Sequence, residues 1–382
     1  MEVEMGDVTL KKKLKIAVLI RRFVTSGGKE RYAVEVTRRL RDRGHEIHLF
    51  CREFDQELTD GMVIHRLPVR WRFSSALSCL AFARDCAKQL PAAGRFDIIH
   101  SHERAYCQDV LTIHTFSFKG GLRNYPFFRR LDQTWLSYRS WVYLLLEQKQ
   151  METPQLVAVS EAIRQDGIRF YERHDGVTVI EPGVDLDQFN PVRIAAERTV
   201  IRQRFGVDDD ELLILFVGSE FKRKGLDRLI PAIAPGMRLL VLGRGDNLSF
   251  FHDLAAGLGL DDRVHFAGLI EGDVGRYYAA ADVVVLPSRS EAFGMTVLEG
   301  MAAGLPVLVS RECGVAPLIN TGEDGFVFDD SEQLARFLAE LSDHGFRQRV
   351  GAAARRKAEA YSWDIQTDKY ERLFREMFAN RF

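Results

Sequence analysis

No stretch of this sequence approaches the roughly 18–20 consecutive apolar residues that a membrane-spanning helix needs. The first candidate, "IAVLI" behind Lys11–Lys13, is stopped at once by Arg21-Arg22. It is too short for the apolar region of a signal peptide and reads as a first buried strand. Cysteine is scarce: Cys51, Cys79, Cys86, Cys107 and Cys313, an odd number with no CxxC pair. That pattern fits reduced thiols in a cytoplasm and argues against a disulfide framework or a zinc site. There is no HExxH and no compact His/Asp/Glu set, so a catalytic metal is not indicated. GxGxxG is missing too, which counts against a nucleotide-dependent dehydrogenase. Net charge is close to absent: 53 Lys and Arg oppose 54 Asp and Glu. The overall balance therefore nominates no partner, although local charge still can.

What is present is an ordinary globular texture. With 382 residues, 46% hydrophobic and 28% charged, the chain is long for one domain, and two are expected. "LKIAVLI" (14–20) is a continuous apolar run, as suits a parallel strand covered on both faces. A glycine pair, Gly27-Gly28, follows. Ala33, Val36 and Leu40 then give a helix one buried face, and "EIHLFC" supplies the next strand. This is a βαβ unit. "FDIIHSH", "DVLTIHT", "QLVAVS" and "VTVIEPGVD" extend the same sheet. After Asp185 the texture turns charged and the cycle restarts with "LLILFVG", "RLLVLG", "RVHFAG", "DVVVLPS" and "LPVLVS". The reading is α/β: two doubly wound, Rossmann-like domains facing across a cleft, with a hinge near Pro182-Gly183. The expected bounds are 1–185 for an acceptor-binding domain, 186–361 for a nucleotide-sugar-binding domain, and 362–382 for a closing helix. In that helix Tyr370, Leu373, Phe374 and Met377 share a face. Ligands of open parallel sheets bind at the carboxyl ends of the strands.

Three strand ends carry the chemistry. "EAFGMTVLEGMAAGLPVLVS" places Glu291 and Glu299 on either side of a helix start near Gly294. A helix N-terminus offers free N–H groups and partial positive charge, and glycine lets a phosphate come close. Glu299, one to two turns in, suits a ribose diol. The spacing alone fits equally a helix-start charge and a surface glutamate. "VGSEFKRKGLDRLI" brings Lys222, Arg223 and Lys224 to the end of another strand, as a diphosphate requires or as a solvated basic turn allows. "GGKER" permits close approach of a phosphate or sugar but is weak alone. His114 ends "LTIH", and His100 and His102 end a neighbouring strand; lone histidines are more often structural. "GRGDN" is a poor dinucleotide fingerprint.

A fourth feature is basic and aromatic. Lys119, Arg123, Arg129, Arg130 and Arg139 alternate with Tyr125, Phe127, Phe128, Trp135, Tyr138, Trp141 and Tyr143. Such a segment lies well on an anionic membrane surface. It also suits a phosphorylated acceptor, or a pair of amphipathic helices with exposed arginines. Nucleic acid is not expected, since no second basic patch or binding motif accompanies it.

Taken in order, "GGKERYAVEVTRRLRDRGHEIHLF", "IHTF", "EPGVDLDQF", "FKRKGLDRL" and "EAFGMTVLEGMAAGLPVLVS" resemble the retaining GT-B glycosyltransferases of glycosyltransferase family 4, over nearly the whole chain. The last carries their E-x7-E signature. The nearest branch in look is the lipopolysaccharide core glucosyltransferases. The resemblance implies transfer of a hexose, glucose from UDP-glucose, to an inner-core heptose or similar glycolipid. It implies no cofactor beyond that co-substrate, and a peripheral place on the inner face of the cytoplasmic membrane. Mannosyl or N-acetylglucosaminyl transfer, or a non-catalytic sugar-nucleotide-binding protein, are the alternatives. It also implies roles. Glu299 holds the ribose. Glu291 faces the donor sugar, beside the N–H groups of Phe293, Gly294 and Met295. Arg223 and Lys224 neutralise the leaving diphosphate, Gly28 approaches it, and His114 lines the reaction centre. Many relatives carry an arginine where this chain has Ser219, which leaves the assignment between Arg223 and Lys224 open.

Overall fold

A computed structural model describes residues 12–71, 73–123, 137–270 and 272–381. The chain forms two compact units: residues 1–182 with 363–382, and residues 183–362.

The first unit is built on seven parallel strands: β1 (Lys15–Leu19), β2 (Glu46–Cys51), β3 (Val63–Arg66), β4 (Ile98–Ser101), β5 (Val110–Ile113), β6 (Gln155–Ala158) and β7 (Val177–Val179). Their order is β3-β2-β1-β4-β5-β6-β7. The direction of winding reverses between β1 and β4, the switch point at which such sheets hold ligands. Central β1 is apolar because helices cover both faces; Ile16 to Ile20 are all fully buried. Helix α1 (Gly28–Asp42) follows β1 and buries Tyr32, Ala33, Val36 and Leu40. Gly27 precedes it at φ 106°, a conformation that costs a residue with a Cβ dearly. Helices α2 (Ser75–Ala92) and α3 (Tyr138–Met151) pack against each other. The closing helix α4 (Trp363–Ala379) packs on α1 within this unit. Its buried face is Trp363, Gln366, Thr367, Tyr370 and Phe374, while Leu373 and Met377 are only half-buried.

The second unit repeats the plan with six parallel strands: β8 (Leu212–Val217), β9 (Met237–Leu242), β10 (Val264–Gly268), β11 (Val283–Leu286), β12 (Val307–Ser310) and β13 (Phe326–Phe328). The order β10-β9-β8-β11-β12-β13 reverses between β8 and β11. Helix α5 (Met295–Ala302) follows β11. It lies so close to the sheet that a Cβ on Gly300 would sit 2.7 Å from Val284, which explains the small residues of "EGMAAG". A buried ionic knot fixes the opposite end of β11: Asp282 accepts from Arg198, from Arg202 and from the backbone N–H of Leu213.

Candidate active site

The switch point of the second sheet brings together two loops far apart in sequence. Residues 218–225 leave β8, and residues 287–294 leave β11. Arg289 N–H donates to Arg223 O at 2.9 Å, and the Arg289 guanidinium pairs with Asp227 at 2.7 Å. Gly225, at φ 76°, lets the first loop press on the second; a Cβ there would lie 2.0 Å from Pro287 O.

The charged groups converge on Glu291. Its Oε2 lies 3.3 Å from Arg223 Nη1 and 3.6 Å from Lys224 Nζ. Arg223 also donates to Ser290 O and pairs with Glu220 at 2.9 Å. Burial works to lower the Arg223 pKa, but the Glu220 and Glu291 carboxylates outweigh it and hold it above its usual value. The Lys224 side chain runs over the strand-end Gly218, where a Cβ would meet its Nζ at 2.5 Å. Lys224 therefore stands at the strand-end glycine, beside Ser219. "GRGDN" has a packing explanation: a Cβ on Gly243 would strike Gly218 O, and one on Gly245 the Phe221 ring.

Glu291 and the start of α5 are fixed by backbone. Glu291 N–H donates to Glu312 O, and its carbonyl accepts from Gly314 N–H at 2.9 Å. Buried Cys313 lies beneath, its thiol pushed up to about 11 chiefly by burial. Gly294 caps the helix at φ 107°. Among the described residues no hydrogen bond takes up the N–H groups of Phe293, Gly294 or Met295. These form a run of free donors at a helix N-terminus. One turn further on, Glu299 is not the surface residue that its spacing also allowed. It is 6% exposed and accepts from the fully buried Tyr278 hydroxyl at 2.5 Å. Tyr278 was missed in the sequence because nothing local ties it to Glu299.

At the switch point of the first sheet, Gly28 is the first residue of α1 and Lys29 the second. Lys29 Nζ pairs with buried Glu103 at 2.5 Å, and Arg21 Nε with the same carboxyl at 3.1 Å. Burial alone would raise the Glu103 pKa, but the two cations bring it below the usual range. His114 follows β5, with Tyr32 edge-on to its ring at 5.0 Å. Its Nε2 lies 3.0 Å from His102 Nδ1. Burial, helped by the charge on Lys29, pushes both histidines well below their usual pKa, so both are neutral.

Of the basic, aromatic segment, Tyr125, Phe127, Phe128, Arg129, Arg130, Trp135 and the Arg123 side chain lie outside the described residues. Lys119 is exposed and donates to Phe170 O at 2.7 Å. Arg139 is exposed, 5.7 Å from the Tyr143 ring. On α3, Tyr138, Trp141 and Leu145 are each more than half exposed at helical spacing. Among the described residues, no helix is long and apolar enough to cross a membrane, and no group of three or more His, Cys, Asp or Glu could hold a metal ion.

Two parallel α/β units of Rossmann order, one with cations and a free helix N-terminus at its switch point, define a GT-B architecture. The comparisons give the family. The model described as Glycosyl transferases group 1 matches residues 197–357, and that described as Glycosyltransferase Family 4 matches residues 26–188. A D-inositol 3-phosphate glycosyltransferase of Salinispora tropica is 30% identical over 394 residues, covering 89% of this chain and 79% of that one. An uncharacterized glycosyltransferase of Methanocaldococcus jannaschii is 28% identical over 345 residues, covering 84% and 87%. The chain belongs to the group 1, family 4 glycosyltransferases. In fold it is similar to the crystal structure of WaaG, a glycosyltransferase involved in lipopolysaccharide biosynthesis, with TM-score 0.81 and 24% identity over 94% of this chain and 99% of that one. It is also similar to Anabaena HepE in complex with UDP and glucose, with TM-score 0.74 and 20% identity over 94% and 99%.

Proposed function

We propose that the protein is a metal-independent, retaining hexosyltransferase that takes glucose from UDP-glucose. The acceptor is a lipopolysaccharide core heptose or a similar glycolipid. The observation that carries the donor site is the meeting of Arg223, Lys224 and Glu291 beside the free N–H groups of residues 293–295. In the free protein Glu291 occupies the cations. A diphosphate brings two or more negative charges to the same place and competes for them. Glu299, held in place by Tyr278 one turn into the helix, is the carboxylate for a ribose diol.

Breaking the bond between C1 of the sugar and the phosphate oxygen leaves negative charge on the diphosphate and positive charge at C1. Lys224, Arg223 and the helix N-terminus stabilise the first without reorganising. The Glu291 carboxylate, released from the cations, turns to the hexose hydroxyls. The acceptor oxygen bonds C1 on the face the diphosphate leaves, and its proton passes to the leaving phosphate oxygen. This front-face route retains configuration and needs no protein nucleophile. His114 and Gly28 take the roles the family gives them, at the sugar and the diphosphate.

Glucose and a glycolipid acceptor rest on likeness to WaaG and on the UDP and glucose bound by HepE. Membrane contact is supported by the exposed stripe of Tyr138, Trp141 and Leu145, with exposed Arg139 on the same helix, which suits the headgroup region of an anionic bilayer. The protein then works as a peripheral enzyme on the cytoplasmic face. A second reading, transfer to a soluble sugar or polyol phosphate, is favoured by the inositol 3-phosphate relatives. Incubating the enzyme with UDP-glucose and either heptose-terminated core lipid or inositol 3-phosphate decides between them. Transfer only to the soluble phosphate would discard the glycolipid reading.

A further inference from the structure

Three histidine rings stand in a row at the ends of β4 and β5. The His100 and His102 centroids are 4.2 Å apart, and those of His102 and His114 5.3 Å. Between His102 Nδ1 and His114 Nε2, 3.0 Å apart, one nitrogen carries a proton and the other a lone pair. Which is which decides what His114 offers a substrate.

His100 shows the rule this cluster follows. His100 Nε2 is 2.8 Å from Thr112 Oγ1, which is 2.7 Å from Tyr370 Oη. Tyr370 Oη is 2.9 Å from Tyr32 Oη, which is 3.1 Å from Ile180 O. A carbonyl only accepts, so Tyr32 donates to it. Tyr32 then accepts from Tyr370, Tyr370 from Thr112, and Thr112 from His100. The His100 proton is on Nε2, and its buried, unpartnered Nδ1 is a lone pair. An orphaned buried N–H is rarer than an under-used acceptor, and the chain spares His100 one.

His102 faces the same choice. It is 3% exposed, and its Nε2 is buried without a partner. Were His114 to donate, the His102 proton would sit on Nε2 as an orphaned N–H. With His102 Nδ1–H donating, the orphan is again only a lone pair. His114 Nε2 then accepts, and the His114 proton sits on Nδ1, which no described residue engages. We infer that His102 is a positioning residue that fixes His114 in the Nδ1–H tautomer, so that His114 meets substrate as a hydrogen-bond donor. Its one unprotonated nitrogen is occupied by His102, so His114 is not the base that takes the acceptor proton. This deepens the proposed function and rests on its placement of His114 at the sugar.

The test is long-range proton–nitrogen NMR of the full chain with nitrogen-15 histidine, assigned by His114→Gln. The wild type is expected to show His114 protonated at Nδ1. His102→Leu should release that preference, and His102→Asn, whose amide can donate in place of the ring N–H, should keep it. Turnover should fall about tenfold in His102→Leu, a part of the loss expected for removing an aligned donor, and recover in His102→Asn. A wild-type His114 protonated at Nε2, or a tautomer indifferent to His102→Leu, would overturn the inference. The spectrum needs no substrate, so it is independent of the transfer assay. If the tautomer holds but no sugar nucleotide is turned over, it is the proposed function that fails.

Discussion

Replacing Glu291 with glutamine should pull binding and turnover in opposite directions. The carboxylate lies 3.3 Å from Arg223 and 3.6 Å from Lys224. A phosphate within about 4 Å of Lys224 Nζ is then at most roughly 8 Å from the Glu291 charge. At an effective dielectric of about 20, two unit charges at that separation repel by about 2 kcal/mol. Arg223 is partly open to solvent, and salt screens the pair further, so about 1–2 kcal/mol is expected. Glutamine keeps the shape, and the backbone bonds of residue 291 to Glu312 and Gly314 are untouched. Titration calorimetry should therefore show UDP binding about 5- to 30-fold tighter in Glu291→Gln, with the gain shrinking as salt rises. Transfer from UDP-glucose should slow, because the contact to the sugar hydroxyls weakens. Unchanged or weaker UDP binding at low salt would show that the cations are not the phosphate site.

Other outcomes follow from the same geometry. Lys224→Ala should depress turnover more than binding of uridine, which has no diphosphate; equal losses would count against its place at the phosphates. Gly225→Ala must hold φ 76° and displace Pro287 O from 2.0 Å, so a loss of about 2–3 kcal/mol is expected in urea unfolding. The first unit should weaken in acid. His100 is pushed down to about 3 by burial, so the unfolded chain takes up its proton first, near pH 6.5. The stability this neutral histidine contributes is full above that pH and is lost as pH falls from about 6.5 towards 3, by about 1.4 kcal/mol at pH 5.5. His102 and His114 add in the same direction. A urea midpoint unchanged between pH 7.5 and 5.5 would refute this. Changing Tyr138, Trp141 and Leu145 to serine should reduce binding to anionic vesicles; undiminished binding would remove the membrane claim.

Much of the sheet architecture is legible because parallel strands covered on both faces are written as continuous apolar runs. β1, β8, β11 and β12 carry that signal most fully. β3 does not: as an edge strand reading Val-Ile-His-Arg, it is mostly half-buried or exposed, and it escapes. β13, three residues long, is too short to stand out from its turn. At the candidate site, the glycines, the basic loop and both glutamates are visible as motifs, since each sits just beyond a strand. Their partners are not. Tyr278 reaches Glu299 from 21 residues away, and the His102–His114 pair joins the ends of two strands. Whether Lys224 or Arg223 stands at the strand-end glycine depends on how a loop folds back, which spacing does not encode.

The central claim is that the switch point of the second unit binds a nucleoside diphosphate. Its most direct test is calorimetric titration of wild type and Glu299→Ala with UDP, GDP and ADP in metal-free buffer, with thermal unfolding to confirm that both are folded. Selective UDP binding by the wild type, weakened in Glu299→Ala, is the predicted result. Folded wild-type protein that binds none of the three, or a Glu299→Ala variant that binds UDP as well as the wild type, would contradict it.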